Sequence, residues 1–167
     1  MEEVVQISHL PVTVQSAGLC GLIYVRSWPE TASCSYSSAQ IGARLVERGP
    51  RYWMTHLENS PVRVAGEVDG LWGFGLITSE PEGLELSYLF VEPEAFGTGL
   101  AAAIYDELLE DVQGPLCAWV LSGNVRSQRF FIKRGWVFDD RTNQPLWADG
   151  HEYIKLWLHD RPLTIPG

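Results

Sequence analysis

The sequence predicts a mixed α/β fold of the α+β kind, a central and mainly antiparallel sheet flanked by helices. Three observations carry this reading. Two strand-like runs, VRVAGEV (62–68) and LWGFGLIT (71–78), are joined by Asp69-Gly70, a dipeptide that tolerates positive φ and so closes a hairpin. A Gly-containing turn then separates a strand over 84–91 from a helix over 100–111. Last, WVFDD and HEYIKLWL (151–158) read as an antiparallel pair that ends the chain. The order is hairpin, strand, helix, strand, helix, strand, strand. Strands and helices do not alternate throughout, which excludes a doubly wound sheet.

The remaining elements follow from local pattern. VVQISHL (4–10) alternates loosely and is read as an opening strand. Apolar positions at Val14, Ala17, Leu19, Leu22, Ile23 and Val25 predict a helix over 13–27, ending before Trp28-Pro29 because the residue before proline is pushed out of the helical region. PETASCSYSS (29–38) is small and polar and reads as a loop. Ser38 is taken as the N-cap of a second helix running to Gly49, and a further helical piece is placed at 51–58. LAAAIYDELLED (100–111) combines strong helix formers with an apolar face at Leu100, Ala103, Ile104 and Leu108. LCAWVL (116–121) is a short apolar strand, and 125–134 an amphipathic helix closed by Gly135. No repeat or long linker divides the 167 residues, so a single domain over 1–167 is expected.

Composition removes several functional classes. With 12 Lys+Arg against 21 Asp+Glu the formal charge is −9, which argues against nucleic acid as the main partner, since phosphate neutralisation needs clustered cations. The acidic surface suits a cationic small molecule or peptide, or serves solubility. No apolar run reaches the roughly 18 residues of a membrane span, and MEEVVQISHL has no basic n-region or apolar core. Cys20, Cys34 and Cys117 are odd in number and far apart, which points to reduced thiols and a cytoplasmic setting. The four histidines have no metal-ligand spacing, so no metal is expected. Most of the seven tryptophans are assigned to the core. Trp28, Trp53 and Trp147 are the ones to watch as exceptions.

The chemistry is concentrated in the turn at Phe96-Gly97-Thr98-Gly99 and the helix it opens. Unpaired N–H groups at the positive end of a helix dipole suit a phosphate, Gly97 and Gly99 remove side chains, and Ala101 and Ala102 keep the first turn thin. A Lys-Ser/Thr of a P-loop and a complete GxGxxG are both missing, so mononucleotide and dinucleotide readings have no support. Between Val112 and Phe138 lie four basic residues, Arg126, Arg129, Lys133 and Arg134, and no acid. That basic island in an acidic chain suits an anionic ligand.

V-E-P-E-A-F-G-T-G-L-A (91–101) resembles the acyl-CoA-binding signature of the GNAT superfamily of N-acetyltransferases, Val-x-Pro followed by Arg/Gln-x-x-Gly-x-Gly/Ala at a helix start. Gly99 and Ala101 match the last two small positions, and Phe96 stands where Arg or Gln is usual. Asn124, Arg129-Phe130-Phe131 and Gly135-Trp136 resemble the family's second motif, Asn…Phe-Tyr…Gly-Phe. The resemblance covers nearly the whole chain. It implies acetyl-CoA as co-substrate and no metal, with transfer of the acetyl group to a primary amine by direct attack in a ternary complex. The pyrophosphate is then expected over the N–H groups of Gly97, Thr98, Gly99, Leu100, Ala101 and Ala102. The pantetheine arm is expected along the strand edge at Leu89, Phe90 and Val91, with Asn124 facing it and Arg129 near the nucleotide end. A main-chain N–H near Leu89 or Phe90 is the expected polariser of the carbonyl.

Two departures bear on catalysis. The family's leaving-group tyrosine corresponds to Phe131, so no general acid is assigned there; Ser127, one turn earlier, is the nearest hydroxyl, with Tyr88, Tyr105 and Tyr153 as further substitutes. The glutamate that many relatives carry five residues before the Asn is replaced by Trp119. Glu85, six residues before Val91, remains the candidate general base. These losses keep open an alternative, a non-catalytic acyl-CoA-binding or regulatory module on the same fold. The acceptor and a choice between monomer and homodimer lie beyond the sequence.

Overall fold

The computed structural model describes residues 4–139 and 151–159. The elements are β1 (Gln6–His9), α1 (Val14–Ala32), α2 (Ser38–Glu47), α3 (Pro50–Glu58), β2 (Val62–Val68), β3 (Leu71–Glu80), β4 (Gly83–Val91), a single 3₁₀ turn (Pro93–Ala95), α4 (Leu100–Glu110), β5 (Leu116–Leu121), α5 (Val125–Ile132), β6 (Val137–Phe138) and β7 (Tyr153–Leu158). The strands form one seven-stranded sheet in the order β1-β2-β3-β4-β5-β7-β6. Every neighbouring pair is antiparallel except β4 with β5. The predicted α+β architecture and the closing β6–β7 pair are therefore present. The predicted position of Trp147 lies outside the described residues.

The sheet is covered on both faces, which gives two apolar cores. One contains Leu100, Ile104 and Leu108 of α4, together with Phe131 and Trp136, against inward residues such as Val64, Leu86, Ala118 and Leu156. The other joins Cys20, Ile23, Tyr24 and Trp28 of α1 and Trp53 and Leu57 of α3 to Phe74 and Leu76 of β3. Helix α4 can lie close because β3 offers glycines beneath it. A Cβ on Gly75 would stand 2.4 Å from Leu108 Cδ1, and one on Gly73 would stand 2.8 Å from Ile104 Cδ1. A side chain at either place would lift the helix that opens the candidate site.

The first helix corrects the sequence reading. It continues through Pro29 to Ala32 instead of stopping before Trp28-Pro29, so the loop assigned to 29–38 is shorter. Proline inside a helix removes one hydrogen bond and costs about 3 kcal/mol in an exposed setting. Here Tyr24, Trp28 and Ala32 are buried on one face, and Trp28 stacks on Tyr24 at 5.6 Å, so tertiary burial outweighs the local penalty. Smaller shifts occur at two ends. Ser37, not Ser38, caps α2, in a reciprocal box with Gln40, and α5 stops at Ile132 with Lys133 as its C-cap.

Two irregularities of β4 create the site. Strands β4 and β5 pair only at Leu84 opposite Leu116 and Glu85 opposite Cys117, after which they part. In the ladder with β3, Tyr88 faces Leu76 and Leu86 faces Ile77, so Ser87 is an extra, bulged residue. The bulge inverts the alternation along the strand. Glu85, opposite Thr78, thereby shares a face with Tyr88 and Phe90, opposite Leu76 and Phe74.

Candidate active site

A cavity of about 370 Å³ fills the gap between the parted strands. Its walls are Leu86, Ser87, Leu89, Phe90 and Val91 of β4 and Ala118 to Leu121 of β5. At one end stand Phe96, Gly97, Gly99, Ala101 and Ala102, at the entry of α4. At the other stand Ser27, Trp28 and Thr31 of α1, with Tyr153 of β7. Asn124, Arg126 and Ser127 of α5 close the side. No carboxylate lines it among the described residues, and Arg126 is the one charged side chain that does.

The α4 end is built mainly of backbone. Gly97 and Gly99 have φ of 81° and 86°, in the left-handed region that only glycine enters without strain, and Gly99 is the N-cap. A glycine cap offers no side-chain acceptor, so the first-turn N–H groups of α4 have only a local partner, Thr98 Oγ1, which accepts from Leu100 N at 3.3 Å. Thr98 also donates to Ala95 O at 2.6 Å and holds the turn closed. Its side chain and the fully buried Leu100 do not line the cavity; Leu100 packs into the core below.

Along β4, Leu89, Phe90 and Val91 line the cavity. Asn124 lines it as well, but its amide is committed to capping α5. Oδ1 accepts from Ser127 N at 3.2 Å, and Nδ2 donates to Ser127 Oγ at 2.8 Å. Arg129 is exposed and not a lining residue, and Arg134 lies over the Phe130 ring at 3.6 Å and donates to Phe130 O. Of the basic island, Arg126 reaches the cavity.

Toward the β4–β5 fork, Glu85 is not a lining residue, whereas Ser87 is. Ser87 Oγ hydrogen-bonds Glu85 Oε1 at 3.3 Å and also meets Thr78 Oγ1, which in turn donates to Glu80 Oε1 at 3.0 Å. Glu85 itself opens into a second cavity of about 240 Å³, shared with Glu80, Glu82, Cys117, Trp119 and Lys155. Trp119 belongs to the walls of both. Burial, and next the charge of Glu80, push the Glu85 carboxyl up to about 7, while the Ser87 hydrogen bond and Lys155 pull it down. Lys155 is buried, ion-paired with Glu82 at 3.1 Å, and sits over the rings of Trp119 and Trp157.

The hydroxyls considered as acids separate clearly. Tyr88 bonds Tyr52 on the α1–α3 face, and Tyr105 accepts from Trp136 Nε1 at 2.8 Å in the core; neither lines the cavity. Ser127 and Tyr153 do, the latter hydrogen-bonded to Tyr36 at 2.8 Å. Phe131 packs on Trp136, with ring centroids 4.9 Å apart. Of the watched tryptophans, Trp28 lines the cavity and Trp53 is fully buried. Burial raises the Cys117 thiol to about 11 and the Cys20 thiol to about 12, so both are protonated and inert at neutral pH. Exposed Cys34 is not a lining residue. Among the described residues, no cluster of His, Cys, Asp and Glu could hold a metal ion, and no helix is long and apolar enough to cross a membrane.

A mixed sheet with two parted strands and a glycine-capped helix at the gap frames the site. The sequence model of the acetyltransferase (GNAT) family matches residues 23–136, and the chain belongs to that family. Among solved structures, the PaiA N-acetyltransferase of Thermoplasma acidophilum in complex with coenzyme A is similar at a TM-score of 0.73 and 15% identity, over 91% of this chain and 98% of that one. A GCN5-related N-acetyltransferase of Rhodopseudomonas palustris gives 0.72 and 17%, over 96% and 97%. The ribosomal-protein-S18-alanine N-acetyltransferase of Escherichia coli gives 0.60 and 19%, over 93% and 94%. At these identities the likeness is one of fold. No curated protein matches the sequence significantly.

Proposed function

We propose that this protein is an acetyl-CoA-dependent N-acetyltransferase that acetylates a primary amine of a small molecule or peptide by direct attack. The observation that carries the proposal is one continuous cavity. It runs from the glycine-capped N-terminus of α4, along the unpaired edge of β4, to a serine hydrogen-bonded to a carboxylate that burial pushes up to about 7. The residues present fit acetyl-CoA. Backbone N–H groups from Gly97 to Ala102 hold the pyrophosphate, and the β4 edge from Leu89 to Val91 supplies main-chain hydrogen bonds to the pantetheine amides.

In the transfer step the amine nitrogen attacks the thioester carbonyl. The C–N bond forms, the C–S bond breaks, and the sulfur leaves as thiolate or thiol. An alkyl amine has a pKa near 10.4 and needs a base at neutral pH. Glu85 serves as that base through Ser87. The Ser87 hydroxyl takes the amine proton from the cavity side as it passes its own to Glu85. A main-chain N–H near Leu89 or Phe90 polarises the carbonyl. A thiol with a pKa of roughly 8.5 leaves without strong assistance, and Ser127 is the hydroxyl placed to protonate it where Phe131 cannot. Among the described residues no cysteine lines the main cavity, which favours direct transfer over an acyl-cysteine intermediate.

A cationic acceptor fits Glu80 and Glu85 beyond the Trp119 wall, where Glu82 is already paired with Lys155. One observation favours the second reading, a non-catalytic acyl-CoA-binding module: the leaving-group position is the buried ring of Phe131. The test is release of CoA from saturating acetyl-CoA across a panel of amines, alongside acetyl-CoA-dependent thermal stabilisation. Stabilisation with turnover supports the enzyme. Stabilisation with no turnover for any amine supports the module, and no stabilisation removes both.

A further inference from the structure

We infer that Arg126, seated on the ring of Phe96, is a specificity residue that clamps the diphosphate of the acyl donor against the α4 N-terminus; the inference rests on the acyl-CoA reading above. Its guanidinium carbon lies 3.6 Å from the Phe96 ring centroid, within the range of a cation–π contact. Both residues line the main cavity. Among the described residues, no ion pair or hydrogen bond engages the guanidinium. The ring contact holds the cation at the cavity wall and leaves its N–H fork unspent, which suits bidentate recognition of a phosphate.

The placement gives the contact its meaning. Phe96 directly precedes the turn whose glycines expose the first-turn N–H groups of α4, while Arg126 projects from α5, after β5. The pair therefore bridges the two walls of the parted strands at the end where backbone donors converge. Those donors are neutral, and with no carboxylate lining the cavity, Arg126 supplies its only side-chain charge among the described residues. A dianionic bridge beside the α4 amides is the part of an acyl-CoA that needs such a cation. Phe96, the residue that departs from the usual pattern of the turn, is the platform for the cation.

Isothermal titration of acetyl-CoA, its 3′-dephospho form and S-acetylpantetheine, on wild type, Arg126→Ala, Phe96→Ala and the double variant Phe96→Arg/Arg126→Ala, tests this. Arg126→Ala is expected to weaken both nucleotide donors about tenfold or more, by equal factors, and to leave S-acetylpantetheine unaffected. Turnover at saturating donor is expected to stay within about twofold, so that KM rises and kcat does not. Phe96→Ala should lose about three- to fivefold, and the double variant should recover most of the affinity. Wild-type binding matched by Arg126→Ala overturns the inference while leaving the acyl-CoA reading standing. A penalty that vanishes on the dephospho form assigns Arg126 to the 3′-phosphate and overturns the diphosphate assignment. Failure of wild type to bind acetyl-CoA removes the reading beneath both.

Discussion

The two ends of the main cavity are built on different principles. At the α4 end the groups on offer are backbone amides set by two glycines, with one cation laid across from α5. At the end proposed for the reaction the groups are side chains from α1, β3, β4, β5 and β7, brought together by a bulge and by hydrogen bonds between hydroxyls and carboxylates. A backbone cradle tolerates most substitutions that keep the turn, because its donors carry no side-chain identity. A side-chain relay loses rate when one member is changed.

The largest effect should come from breaking that contrast at the reaction end. Glu85→Gln is expected to lower kcat at least about 100-fold with an identified amine while leaving acetyl-CoA binding intact. Unchanged turnover would show that Glu85 is not the base. At the other end, Ala101→Glu places a like charge and extra bulk in the first turn of α4. Thermal stabilisation by acetyl-CoA should be lost, yet the unliganded melting temperature should hold, because a glutamate near a helix N-terminus is itself favourable. A stabilisation equal to wild type would move the anion site away from α4.

Smaller effects sharpen the relay. Ser87→Ala should reduce kcat about tenfold, less than loss of the base, since water can bridge the gap. The kcat/KM profile of wild type should rise with an apparent pKa near 7, and a profile without that limb would speak against the relay. Stability gives the least change. Glu85 binds its proton more tightly folded, with a pKa of about 7, than unfolded, near 4.5, so its contribution is complete below pH 4.5 and is lost as pH rises through 7. Partial exposure moderates the effect. At pH 8 Glu85→Gln should therefore be more stable than wild type by about 1–2 kcal/mol, and equal to it near pH 4. Equal melting temperatures at both pH values would mean that the carboxyl is not perturbed.

How far these features could be read in the sequence depends on their range. The hairpin at Asp69-Gly70, the Gly97–Gly99 turn and the helix after it arise from residues adjacent in the chain, and periodicity and turn chemistry report such features directly. The run of α1 through Pro29 could not be read, because Pro29 is a helix breaker unless Tyr24, Trp28 and Ala32 find a sheet to bury against. Nor could the position of Glu85. Simple alternation places residues 85 and 87 on one face and 88 on the other, and the bulge at Ser87 puts Glu85 with Tyr88. A surplus residue in one ladder leaves no compositional mark.

The stacking of Arg126 on Phe96 shows the same boundary. Phe96 and the basic segment from 112 to 138 were both visible as departures, one in a motif and one in local charge. Among four cations, nothing in spacing singled out Arg126 over Arg129, because that depends on which face of α5 turns toward the parted strands. The sequence alone determined the elements, the glycine turn and the family resemblance, all governed by neighbours in the chain. Only the tertiary structure decided which carboxylate meets which hydroxyl and which arginine meets the ring, because those partners are set by strand register and helix rotation, which no local pattern encodes.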